Sequence, residues 1–143
     1  MRLLRARLRA ESGFSLIEVL VVVILLGILA AISLPLFLGQ TEQGDDASAK
    51  SNARGLATAV EHCFTETDDY AECDTQPQLE ISGLSWGAGE GQVQVISAAT
   101  REFAVRSVSR NGHRFTWTRP ETGTVDRSCS PSGEGGCDAA GSW

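Results

Sequence analysis

Residues Phe14 to Leu38 read FSLIEVLVVVILLGILAAISLPLFL, and this run decides what kind of fold the chain can have. As a helix, a stretch of this length measures roughly 37 Å, enough to cross the hydrocarbon core of a bilayer with some tilt. Arg2, Arg5, Arg7 and Arg9 precede it, accompanied by a single acid, Glu11. The N-terminus is therefore expected on the cytoplasmic side, with everything after the run outside. One carboxylate, Glu18, stands inside the apolar run. Placing such a charge in lipid costs about 2.5 to 3.5 kcal/mol even on lenient insertion scales, so Glu18 calls for a partner.

Three readings of the run compete. A secretory signal peptide would share the basic start, but the apolar stretch exceeds a usual h-region and Ala30-Ala31-Ile32-Ser33 makes a poor small-x-small cleavage site. An ordinary single-pass anchor explains length and orientation and leaves Glu18 without a counter-charge. The third reading supplies one. Gly13-Phe14-Ser15-Leu16-Ile17-Glu18, GFSLIE, resembles the processing site of type IV prepilins and pseudopilins. That resemblance implies cleavage between Gly13 and Phe14 by a prepilin peptidase and N-methylation of the new Phe14 amine. It also implies a filament-assembly role for Glu18, whose carboxylate would meet the N-terminal amine of a neighbouring subunit. A charge buried in an apolar bundle is tolerable when a cation neutralises it, and only a subunit in the correct axial register would present that cation. Gly27, Ala30 and Ala31 permit close helix approach. Pro35 lacks a backbone donor and is expected to break or loosen the helix, and Gly39 and Gly44 weaken the helix beyond it.

Past the run, Ala49, Ala53, Leu56, Ala57, Val60 and Phe64 recur at helical spacing, with Lys50, Arg54 and Glu61 on another face. This predicts an amphipathic helix over 45–64, continuing the first, whose stripe packs on a sheet. Strand-like stretches come next at 92–98, 102–109, 113–118 and 123–128, so an antiparallel sheet is expected at about 92–128. Asn111-Gly112 signals a two-residue hairpin, in which Val108 would face Phe115 and Arg106 would face Trp117. The Gly- and Ser-rich tail from Cys129 to Trp143 has little core of its own. The helix followed by a small antiparallel sheet resembles the α+β type IV pilin fold. The spacing Cys129-(x)7-Cys137-(x)5-Trp143 resembles pilins of high-GC Gram-positive bacteria.

On this reading residues 1–13 are a leader, 14–38 the transmembrane and filament-core helix, and 39–143 the extracellular head. The whole chain carries a formal charge of −6; without the leader it keeps 8 basic and 17 acidic residues, about −9. A general nucleic-acid-binding surface is excluded by that balance. Cys63, Cys73, Cys129 and Cys137 all lie beyond the membrane segment, where disulfides are favoured. Four cysteines allow three connectivities, of which Cys63 with Cys73 and Cys129 with Cys137 are the simplest by spacing. Zinc is disfavoured, since there is no CxxC and His62 and His113 form no ligand pair. Glu66, Asp68, Asp69, Glu72 and Asp74 crowd one segment but lack the register of a calcium loop, so an acidic surface loop is expected, with no metal or other cofactor. No nucleophile and base set points to catalysis. The resemblance implies a filament subunit serving adhesion, motility or DNA uptake, or alternatively a pseudopilin of a type II secretion system. The expected partners are pilin subunits, the prepilin peptidase and N-methyltransferase, an assembly platform and, before assembly, membrane lipid. A membrane-anchored binding protein or enzyme is the more distant alternative.

Overall fold

The computed structural model describes residues 13–79 and 81–143, with 35–38 as backbone only. The expected leader, apart from Gly13, lies outside the described residues. The chain divides into two compact units, 1–37 and 38–143. A single helix, α1 (Leu16–Thr67), begins in the first and ends in the second.

In the first unit α1 is apolar on every face. Fifteen large apolar side chains from Phe14 to Leu34 are between 48% and 85% exposed, so this part of the helix has no core of its own. It is long and apolar enough to cross a membrane. The Ser33 hydroxyl donates to the Leu29 carbonyl at 2.8 Å, which satisfies a polar group where lipid would offer no partner.

α1 runs through Pro35, Gly39 and Gly44 without interruption, and the break expected at Pro35 does not occur as an end of the helix. A proline removes one donor, and a glycine costs about 1 kcal/mol relative to alanine. Long helical stretches on both sides outweigh such local losses.

In the second unit α1 lies on a five-stranded sheet of order β1-β2-β3-β4-β5. The strands are β1 (Ser85–Trp86), β2 (Gln92–Ala99), β3 (Glu102–Val108), β4 (Arg114–Arg119) and β5 (Asp126–Ser130). Ala49, Ala53, Leu56, Ala57 and Val60 are buried as the periodicity predicts, and Asp46 and Cys63 share their stripe. Across from them the sheet offers Val93, Phe103, Val105 and Phe115, all nearly inaccessible. Tyr70 closes one end of this core, stacked on Phe64 at 4.1 Å between centroids and tilted against Phe103 at 4.8 Å. Cys63 is joined to Cys73 and Cys129 to Cys137.

The sheet departs from expectation in two places. β1 has no counterpart among the expected strands, and it pairs parallel to β2 while the other neighbours are antiparallel. Two residues inside a Gly-rich loop carry no periodic signal, and the pairing comes from the return of the chain, with Gly87 N–H donating to the Val93 carbonyl at 2.8 Å.

The second departure is a one-residue correction to the β3–β4 register. Val108 lies opposite Arg114, Arg106 opposite Thr116 and Val105 opposite Trp117. The connection is a three-residue loop, Arg110-Asn111-Gly112, closed by Ser109 N–H to the His113 carbonyl at 2.8 Å. Gly112 takes φ +82°, the left-handed position that ends a three-residue hairpin loop. Asn-Gly signals either loop length, and the alternation of the strands settles the choice. A one-residue slip would move Phe115 and Trp117 away from the core face and bring Arg114 and Thr116 onto it.

Candidate functional site

The sequence motif at the start of α1 folds into a reciprocal cap. The Ser15 hydroxyl accepts from Glu18 N–H at 3.3 Å, and the Glu18 carboxylate accepts from Ser15 N–H at 3.0 Å. Ser15-Leu16-Ile17-Glu18 is thus a capping box, which satisfies two donors that the first turn leaves open. Read from the sequence, Glu18 is a charge in search of a cation; the S-x-x-E spacing is the signal which that reading passes over. Glu18 remains exposed and forms no ion pair among the described residues. Phe14 is 82% exposed, and among the described residues beyond its chain neighbours no group lies within 4 Å of where a Cβ on Gly13 would stand.

The apolar surface beginning at this cap includes a shallow depression lined by Phe14, Leu16, Val19, Leu20, Val23 and Ile24. Fully burying one such side chain is worth about 1.5 to 3 kcal/mol. Repeated along the exposed run, that term decides the chemistry. The surface must be covered by lipid or by protein of the same character.

In the head, a polar clasp fastens the C-terminal disulfide loop to α1. Asp46 is fully buried, with Oδ2 2.8 Å from His113 Nδ1 and accepting from Gly136 N–H at 2.8 Å. Lys50, one turn on, donates through Nζ to the Gly136 carbonyl. Burial by itself raises the Asp46 pKa; the bonds from His113 and Gly136 overcome it, and the carboxyl sits below its ordinary 3.8. Gly135 takes φ +53°, and a Cβ there would fall on Asp46 Oδ2 and the His113 ring, so the close approach requires glycine.

Trp143 completes the arrangement. Its indole N–H lies 2.9 Å from the Ser128 carbonyl and 3.2 Å from that of Thr116, and its ring meets Phe115 edge-on at 5.9 Å. The tail read as poor in core therefore contributes a wall of it.

The acidic segment between Cys63 and Cys73 is tied down locally. Asp69 accepts from Ala71 N–H at 2.9 Å, and Asp68 pairs with Arg101 at 3.7 Å. No group of three His, Cys, Asp or Glu is gathered for a metal among the described residues.

A membrane-length apolar helix with a capped, charged start and a disulfide-tied head of helix on sheet are consistent with a type IV pilin fold. Residues 8–34 match the prokaryotic N-terminal methylation motif. The chain is 40% identical over 99 residues to the type IV major pilin protein PilA of Myxococcus xanthus, covering 69% of this chain and 43% of that one. It is 39% identical over 72 residues to the type II secretion system core protein G of Pseudomonas aeruginosa, covering 50% of this chain and 49% of that one. Over 109 residues it is 28% identical to the type IV narrow pilus major component PilA5 of Thermus thermophilus, covering 73% of this chain and 92% of that one. The chain thus spans about half the length of the first two of these relatives. No solved structure matches it significantly. The chain thus carries the N-terminal methylation motif and is similar to type IV major pilins and to a type II secretion core protein.

Proposed function

We propose that the chain is a structural subunit of a type IV pilus filament. It is made as a single-pass precursor with a cytoplasmic N-terminus, cut between Gly13 and Phe14, and methylated on the Phe14 amine by the prepilin peptidase and N-methyltransferase. An assembly platform then moves it from lipid into a filament of identical or related subunits on the cell surface. The observation that carries this reading is the exposed apolar helix from Phe14 to Leu34 with one carboxylate, Glu18, that has no cationic partner among the described residues. Lipid can cover the apolar faces but cannot neutralise Glu18. A neighbouring subunit's Phe14 amine can do so.

Glu18→Leu tests this directly. It removes a charge from the membrane segment, so a membrane anchor would tolerate it or insert more readily. A filament subunit would instead accumulate as processed monomer, because the incoming amine is buried without its counter-charge. Membrane-fraction and sheared-filament yields are compared at matched expression, and a normal filament yield from Glu18→Leu refutes the proposal. A pseudopilin role is the second reading, favoured by the likeness to the core protein of a type II secretion system. Deleting the gene and measuring surface filaments against secreted enzymes separates the two.

A further inference from the structure

Cations are scarce in this acidic chain, and nearly all of those after the leader are already engaged. Arg101 pairs with Asp68 and Arg110 with Asp45, each at 3.7 Å, and Arg119 pairs with Glu61 at 2.6 Å. Lys50 is bound to the Gly136 carbonyl. Arg54 lies over Trp143 at 5.2 Å, and Arg127 over Trp117 and Trp143 at 5.8 and 5.9 Å. Two remain: among the described residues, Arg106 and Arg114 have neither an acid nor an aromatic ring as partner. Both line one pocket of about 390 Å³, together with Thr116, Ser128 and Ser130.

The sheet register builds this pocket. Arg106, Thr116 and Ser128 stand in one row across β3, β4 and β5, and Arg114 with Ser130 in the next hydrogen-bonded row on the same face. This is the face turned away from α1, since the intervening Val105 and Phe115 are buried. Arg106 Nε donates to Thr116 Oγ1 at 3.4 Å, which orients the guanidinium and leaves its terminal nitrogens free. No carboxylate lines the pocket. Two like charges set side by side repel, and an anion between them removes that cost.

We propose that this pocket binds a tetrahedral oxyanion, a phosphate group either free or as a monoester. Guanidinium forks match phosphate oxygens in pairs, and the three hydroxyls supply further donors, more than a planar carboxylate can use. The overall acidity of the chain repels polyanions at long range, so recognition here is of a single compact group.

The test uses the ¹⁵N-labelled full chain in detergent micelles, titrated with inorganic phosphate or ethyl phosphate at ionic strength held constant with sodium chloride. The expected result is saturable amide shifts at Arg114, Thr116, Ser128 and Ser130, with a Kd on the order of 1 mM. Arg106→Gln and Arg114→Gln should each weaken binding about tenfold. Arg110→Gln, which alters a paired arginine, should leave it unchanged, and unperturbed resonances from α1 confirm that the variants fold. Tighter binding of ethyl phosphate assigns the site to an esterified group, and tighter binding of inorganic phosphate to the free ion; either supports the site. Absence of saturation, an equal response in the Arg106→Gln/Arg114→Gln double variant, or an equal response to acetate overturns it.

Discussion

Glu18 stands in two relationships that can be separated at the scale of single residues. In the isolated chain it caps Ser15 N–H, and in the proposed filament it neutralises an amine. If capping were its whole purpose, Ser15→Ala would reproduce the defect of Glu18→Leu, since either change breaks the reciprocal box. We expect otherwise. Ser15→Ala should loosen the first turn by about 1 kcal/mol, seen as faster amide exchange at residues 16–18, while filament yield stays near normal. Glu18→Gln keeps shape and hydrogen bonding and should give an intermediate yield if the charge itself carries part of the selection. Farther along the helix, Asp46 makes a pH prediction. Its folded pKa lies below 3.8, so the unfolded chain takes up the proton first. The stability it contributes is complete above about pH 4 and is lost as pH falls through the lower, folded value. Asp46→Asn should destabilise the head by about 1.5 to 3 kcal/mol at neutral pH and flatten the acid limb of a denaturation series. An unchanged acid limb would show that other carboxylates set it.

The C-terminal disulfide loop leans on its crosslink because it brings little apolar surface of its own. The Cys129–Cys137 loop carries Gly135 and Gly136 into the clasp around Asp46, so bridge and clasp should act together. Replacing both cysteines by serine should cost about 2 to 4 kcal/mol. Gly135→Ala should cost a comparable amount with the disulfide intact, through a left-handed backbone position and a clash with Asp46. Urea unfolding of each variant and of the combination measures the coupling. We expect the combined loss to be smaller than the two single losses added, because the second change acts on a loop already released. Full additivity would separate the bridge from the clasp. The β3–β4 hairpin shows what its own residues convey at this scale. Asn111-Gly112 announces a turn, and the strands are legible in their Val, Phe, Thr and Trp content. The loop length is not, because Gly112 at positive φ suits two- and three-residue loops alike. The register comes from which alternation buries Val105 with Phe115.

Considered as a whole, the molecule joins a segment that requires lipid or neighbours to a head that carries its own core. The proposed processing predicts that the mature chain begins at a methylated Phe14, to be checked by intact mass of sheared filaments; retention of residues 1–13 there would contradict it. Gly13 replaced by a bulkier residue should leave precursor in the membrane. The apolar run, the arginines before it, the GFSLIE junction and the stripe from Ala49 to Phe64 are readable in the sequence by itself. Each is a local or periodic pattern of side-chain chemistry, and the physics that interprets it, transfer from water and helical repeat, needs no knowledge of what lies opposite. The tertiary structure alone decided that Asp46 is buried rather than part of a polar face, although it stands three residues before Ala49 on the same stripe. It also decided that Trp143 closes the core and that Arg106 and Arg114 share a pocket. These depend on contacts between residues far apart in the chain, and a sequence records such partners only after the register of the sheet and the return of the tail are known.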